Sequence, residues 1–309
     1  MSTPPADPRL FCFGLGYSAL ALARHLRRRG WQIAGTCQTP ERQADLAGEG
    51  IAAALFDRDR PLADPEAALA GTTHLLSSVP PDATGDPVID RHGDAIAALD
   101  GKLAWAGYLS TTGVYGDRAG GWVDEQAELR PSGERGRRRV AAETAWLALW
   151  RRHGVPVHLF RLAGIYGPGR SALDTVRRGE AKRVEKSGQV FSRIHVEDIA
   201  AILEASMARP NPGAAYNACD DDPAPPQEVV TFACALLGIA PPPLVPLAEA
   251  QLSAMARSFY EDNKRVDNAR IKRELGVALR YPDYRAGLRA LLAGGGVPAR
   301  SQEGPDNCG

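Results

Sequence analysis

Residues 9–30 read Arg9-Leu-Phe-Cys-Phe-Gly14-Leu-Gly16-Tyr17-Ser-Ala19-Leu-Ala-Leu-Ala-Arg-His-Leu-Arg-Arg-Arg-Gly30: an apolar strand, a glycine turn and an amphipathic helix, in that order. The turn has the form Gly14-x-Gly16-x-x-Ala19, and each small residue has a physical task. Gly14 permits the tight bend, Gly16 lets the backbone approach a pyrophosphate, and Ala19 keeps the helix close to the strand. Free N–H groups and the dipole at such a helix start favour an anion. Another apolar run at 31–36 completes a β-α-β unit, so the segment reads as a dinucleotide site. Its cofactor-binding residues are Gly14, Gly16, Tyr17 and Ala19.

Moving outward, short apolar runs suited to buried strands recur at 51–55, 73–79, 103–109 and 155–162. Helical spacing lies between them, as at 87–100 and Arg137–His153. The alternation predicts an α/β fold, a doubly wound parallel sheet of Rossmann type covered on both faces. After about residue 210 the composition shifts, and helical patterns follow at 226–237, 247–256 and 267–275. They predict a small, mainly helical C-terminal substrate lobe. The expected organisation is a NAD(P)-binding Rossmann domain over 8–220, with 166–192 contributing to the substrate lobe, a C-terminal lobe over 221–293, and a disordered tail over 294–309.

The 309 residues carry 37 Lys+Arg against 37 Asp+Glu, so no global field points to nucleic acid or a membrane surface as partner. Five cysteines lack CxxC spacing and six histidines lack ligand spacing, so no metal site is expected. The first ten residues lack a signal-peptide pattern, and no apolar run approaches the ~20 residues of a membrane span. The expectation is a cytoplasmic protein with a small-molecule substrate.

A NAD site usually has a carboxylate at the end of the second strand to hold the ribose hydroxyls. Here the stretch is Gly35-Thr36-Cys37-Gln38-Thr39-Pro40-Glu41-Arg42, with no carboxylate at the strand end. Thr36 and Arg42 suit a 2′-phosphate instead, which predicts NADP over NAD. Asp57, after the third strand, is the expected adenine contact.

The fifth strand leads into Tyr108-Leu-Ser110-Thr111-Thr112-Gly-Val114-Tyr115-Gly116-Asp117, with Val123-Asp-Glu125 and Pro131 beyond it. Arg161-Leu-Ala-Gly-Ile-Tyr166-Gly-Pro168-Gly and Ser192-Arg193-Ile-His195-Val-Glu-Asp198 follow. With these motifs in order, the chain resembles the extended short-chain dehydrogenase/reductase superfamily, of the NAD-dependent epimerase/dehydratase type. It is most similar to the atypical subgroup, over most of residues 9–290.

The resemblance implies a catalytic Ser/Thr, Tyr and Lys. The tyrosinate exchanges the substrate hydroxyl proton, the lysine lowers its pKa and holds the nicotinamide ribose, and the Ser/Thr bonds the reacting oxygen. Counting back three residues from Val114 places the hydroxyl on Thr111. The Tyr and Lys positions, eight and four residues before Glu143, are Arg135 and Arg139. A guanidinium is effectively always protonated, so Arg135 cannot act as an ordinary base, whereas Arg139 can keep the charge of the lysine. Tyr115 and Tyr166 are the aromatic hydroxyls left in the family's motifs, either packing beside the cleft or substituting as acid/base. The resemblance also implies cofactor contacts at Ser77 and Ser78, a substrate-facing Arg193 beside Tyr166, and a backbone-anchoring His195. The arginine run over 130–139 reads as an anion site or as a solvated basic face.

Two functions follow. One is an NAD(P)-dependent oxidoreductase or epimerase-like enzyme acting on a small polar or nucleotide-linked substrate. The other is a non-catalytic NADP(H)-binding sensor or scaffold. The missing Tyr-x-x-x-Lys separates them. Superfamily members often form homodimers, through helices that would include the one near Arg137.

Overall fold

A computed structural model describes residues 8–99 and 101–294. Seven strands form one sheet: β1 (Arg9–Phe13), β2 (Gln32–Cys37), β3 (Ala52–Leu55), β4 (His74–Ser77), β5 (Trp105–Thr111), β6 (Val157–Leu162) and β7 (Ala215–Ala218). The helices used below are α1 (Tyr17–Arg27), α2 (Pro40–Gly48), α3 (Pro87–Ala97), α4 (Glu134–His153), α5 (Val196–Ala208), α6 (Pro226–Leu237), α7 (Ala269–Leu275) and α8 (Tyr284–Ala293).

All strands of the sheet are parallel, in the order β7-β6-β5-β4-β1-β2-β3. The chain therefore winds one way from β1 to β3, then returns through β4 and winds the other way. The reversal leaves a crevice between the carboxyl ends of β1 and β4, where ligands bind in this class of sheet. Apolar strands such as Leu10–Phe13 are buried on both sides because helices cover both faces.

On one face α1 and α5 bring Leu22, Leu26, Ile199 and Leu203 against Trp105. On the other, α3 and α4 bring Val88, Ile96, Trp146 and Leu149 against Tyr108 and Leu159. Helices α6 and α8 pack with 172–177 around Leu173, Val229, Ala233 and Leu288, a cluster of their own. No helix among the described residues is long and apolar enough to cross a membrane.

Two elements differ from the sequence reading. The helix expected at 247–256 is only Ala254–Ser258, because Pro246 ends a short strand and Ser253 caps the later turn. Strand β7 was not expected: Ala-Tyr-Asn-Ala has little strand character by itself. It forms because its backbone pairs with β6, from Ala215↔Leu159 to Ala218↔Leu162. The tail expected over 294–309 lies, from 295 onward, outside the described residues.

Candidate functional site

The glycine turn sits at the switch point of the sheet. Gly14 has φ +80°, a conformation that only glycine adopts without strain. Its N–H donates to Thr36 Oγ1 at 2.8 Å, and its carbonyl accepts from Ser78 Oγ at 2.5 Å. Hydroxyls from the strand ends on either side of β1 thus grip Gly14 through both its backbone polar groups. Gly16 is the N-cap of α1 and lacks a side-chain cap, and a Cβ built there meets nothing within 4 Å. The uncapped helix start faces open space at the carboxyl edge, so these residues fit a dinucleotide pyrophosphate. Ala19 is fully buried. The Tyr17 hydroxyl donates to the Pro168 carbonyl at 3.1 Å and ties the turn to the loop after Tyr166.

Several residues take other roles than expected. Thr36 is 1% exposed with its oxygen holding Gly14, so it braces the turn and does not reach a 2′-phosphate. Ser78 is the brace on the other side. Ser77 is fully buried inside the sheet, which removes its side chain from cofactor contact. Asp57 accepts from the N–H groups of Asp59 and Arg60 at 3.0 and 2.9 Å, and its other oxygen takes Arg60 Nη2 at 3.0 Å. Its carboxylate is occupied by its own turn.

Arg42 lies in the first turn of α2 and reaches back to the Leu15 carbonyl at 3.4 Å, beside the glycine turn. Arg60, which the sequence reading did not single out, donates to the Gln38 carbonyl at 2.7 Å. Burial raises the Cys37 thiol, and the charges of Arg42 and Arg60 pull it back. Two guanidiniums therefore flank the end of β2. The only sequence signal for Arg60 was its place three residues after Asp57.

Thr111 ends β5, half-buried, and its oxygen accepts from the Gly113 N–H at 3.1 Å. Behind it runs a buried polar chain. Ser110 Oγ donates to Glu143 Oε1 at 2.6 Å, and Arg161 grips the same carboxylate with Nε and Nη2 at 3.1 and 2.8 Å. Arg161 Nη1 donates to the Tyr115 hydroxyl at 2.9 Å, which in turn donates to Asn217 Oδ1 at 2.7 Å. Tyr115 is fully buried, and burial pushes its hydroxyl up to about 12 against the pull of Arg161. It is a core hydrogen-bond relay and not a substitute acid/base.

Tyr166 is likewise corrected. Its hydroxyl faces the Asp283 carbonyl and Gly287 of α8, so it anchors that helix and does not face a substrate. Of the two arginines counted to the family's Tyr and Lys positions, Arg135 is exposed on the first turn of α4. Arg139 is half-buried and donates from Nη1 to the Leu109 carbonyl at 2.7 Å and to the Tyr108 hydroxyl at 3.2 Å. Elsewhere in the run, Arg137 and Arg138 pair with Glu134, and Arg130 pairs with Glu128. Those pairs are surface contacts that answer much of the local charge.

Arg193 is half-buried beside β7, with Nη1 on the Phe191 and Ala224 carbonyls at 2.8 and 3.1 Å. The carbonyl of Arg193 accepts from the N–H of Asp220, a residue 1% exposed whose carboxyl oxygens find no partner among the described residues. Burial drives Asp220 up to about 8, with Arg193 opposing. Between about pH 4 and 8 the folded protein then holds a proton that the unfolded chain releases, so stability falls as pH rises through that window. The slope is at most about 1.4 kcal/mol per pH unit. Asp220→Asn should therefore gain on wild type in urea unfolding at pH 8 far more than at pH 5. Parallel stability profiles for the two proteins would contradict this account.

Residues 96–219 match the NAD dependent epimerase/dehydratase family, across β5, β6 and β7. The chain is 51% identical to a functionally unknown conserved protein from Silicibacter pomeroyi DSS, whose solved structure superposes with a TM-score of 0.87 over 94% of this chain and 100% of that one. It is 29% identical over 285 residues to Protein YeeZ of Escherichia coli (strain K12), covering 87% of this chain and 95% of the relative. The fold is shared with dTDP-glucose 4,6-dehydratase from Bacillus anthracis str. Ames, solved in complex with NAD, at TM-score 0.72 and 16% identity, over 92% of this chain and 94% of that one.

Proposed function

We propose that the protein is an NADP(H)-dependent oxidoreductase or epimerase-like enzyme acting on a small polar or nucleotide-linked substrate. The observation that carries this reading is the braced glycine turn with its uncapped helix start, on the same carboxyl edge of the sheet as Thr111. Gly14, Gly16 and the start of α1 hold the pyrophosphate. Arg42 and Arg60 hold a 2′-phosphate at the end of β2, where a carboxylate would have repelled it. When bound, the nicotinamide supplies or accepts the hydride.

Thr111 orients the reacting oxygen by hydrogen bonding, and Arg139 places a permanent positive charge at the nicotinamide ribose. Arg193 takes an anionic part of the substrate. Neither Tyr115 nor Tyr166 takes the proton-transfer role, since both have their hydroxyls inside the protein. The proton reaches the reacting oxygen from water. The four described cysteines are buried and unpaired, which suits action in a reducing cytoplasm.

One observation favours the second reading, an NADP(H)-binding sensor: neither Arg135 nor Arg139 can cycle a proton near neutral pH. Energy transfer from tryptophan to NADPH or NADH measures binding, and hydride exchange over a panel of carbonyl and sugar-nucleotide substrates measures turnover. Thr111→Ala should lower turnover about a hundredfold with little change in dinucleotide affinity. Binding without any exchange over the panel decides for the sensor, and no binding of either dinucleotide removes both readings.

A further inference from the structure

An arginine in the place of a lysine carries its charge on a longer, flexible stem, so it needs partners to fix where the charge lies. In Arg139 that task falls to Nη1, held by the Tyr108 hydroxyl at 3.2 Å and the Leu109 carbonyl at 2.7 Å. Both partners are on β5, just before Thr111. The guanidinium also lies 5.8 Å from the centre of the Tyr108 ring. Its remaining donors, on Nε and Nη2, bond to no group among the described residues.

Tyr108 is itself held from behind. It is fully buried and stacked on Trp146, with ring centres 5.6 Å apart and planes 22° apart. Trp146 Nε1 donates to Asp86 Oδ2 at 3.0 Å, and Asp86 Oδ1 accepts from the N–H groups of Val88 and Ile89 at the start of α3. A continuous buried chain thus runs from the start of α3, beyond the β4 end of the crevice, to the guanidinium. Full burial keeps Tyr108 from touching a substrate, so its hydroxyl can act only through what it holds.

We infer that Tyr108 is a positioning residue that fixes the Arg139 guanidinium at the nicotinamide half of the cofactor, which rests on the ribose-holding role proposed above for Arg139. The pairing that the family makes with a Tyr and a Lys four residues apart on one helix is replaced by a cation on α4 and a strand hydroxyl beneath it. The hydroxyl aligns the cation and moves no proton.

The test is a double-mutant cycle with Tyr108→Phe and Arg139→Met on the full chain. The probes are the reduced dinucleotide that wild type binds more tightly, NADPH or NADH, and ADP, which lacks the nicotinamide ribose. Tyr108→Phe should weaken the reduced dinucleotide about tenfold, the weight of one hydrogen bond to a charged group, and leave ADP unchanged. Arg139→Met should weaken it at least as much, and adding Tyr108→Phe to that variant should cost nothing further. If Arg139→Met weakens the dinucleotide and Tyr108→Phe does not, the positioning role fails while the ribose-holding role stands. If Arg139→Met leaves the affinity intact, both fail. Equal losses for ADP and dinucleotide, or additive losses in the double variant, show a general packing role for Tyr108 and overturn the inference.

Discussion

Gly16→Asp should abolish dinucleotide binding while leaving the protein as stable as wild type or slightly more so. Gly16 has φ −80° and ψ −168°, extended backbone that aspartate adopts without strain, and a Cβ there meets nothing within 4 Å. Helix α1 has neither a side-chain cap nor an acid in its first turn. An aspartate would bond the free N–H groups and complement the dipole, contributing from a few tenths to about 1 kcal/mol. Those N–H groups are the ones the pyrophosphate needs, and the carboxylate adds a like charge. At about 4 Å and an effective dielectric near 20, that repulsion is about 4 kcal/mol, or roughly a thousandfold in affinity. A thermal melt and a tryptophan-to-nicotinamide titration on the same sample read the two effects. Gly16→Asn, which caps without the charge, should lose much less affinity. Retained tight binding in Gly16→Asp would place the phosphates somewhere other than the start of α1.

The second large effect concerns the buried ion pair behind Thr111. Glu143 and Arg161 have side chains only 3% and 7% exposed, and their bidentate contact ties α4 to β6. The same carboxylate holds Ser110, and the same guanidinium holds Tyr115. Glu143→Met leaves a buried guanidinium without its counter-charge, which should cost about 3–5 kcal/mol in urea unfolding. Glu143→Met with Arg161→Met should recover much of that loss, because the charge is no longer stranded. The recovery should be incomplete, since Ser110 and Tyr115 each lose a partner. Additive losses in the double variant would show that the pair is not energetically coupled. Because α4 also carries Arg139, the single variant should weaken dinucleotide binding in step with stability.

The expected pH dependence at Asp220 has another origin. There the carboxyl is buried without a strong partner, so its neutral form is favoured, whereas both Glu143 oxygens are held by Arg161.

Much of the fold was legible from residues 9–36, because a strand, a turn of small residues and a helix in that order are a local pattern. Periodicity carried the central strands for the same reason: a strand buried on both faces must be apolar along its length. Strand β7 escaped because its stability lies in pairing with β6 and in Asn217, whose side chain joins Tyr115 to the Asp267 carbonyl. Those partners are distant in the chain and leave no local trace.

The candidate site divides in the same way. Gly14 and Ala19 could be read from sequence because the left-handed bend needs a glycine and the buried helix face a small side chain, and Gly16 because it leaves the start of α1 open. Hydroxyl residues could not. Thr36, Ser77 and Ser78 look alike in a strand-end sequence, yet one braces Gly14 from β2, one is sealed inside the sheet and one braces Gly14 from beside β4. Tyr115 and Tyr166 stood out as motif tyrosines, while Tyr108 did not, although it is the one that meets Arg139.

What the sequence determined by itself was the class of fold, the glycine turn and the arginines at 135 and 139, since each depends on residue type at fixed local spacing. Only the tertiary structure decided which hydroxyls face the crevice, that Arg42 is joined by Arg60, and that Arg139 is seated on Tyr108. Those outcomes depend on which strand lies beside which and on which side chains burial removes from water. Both are set by packing between segments far apart in the chain.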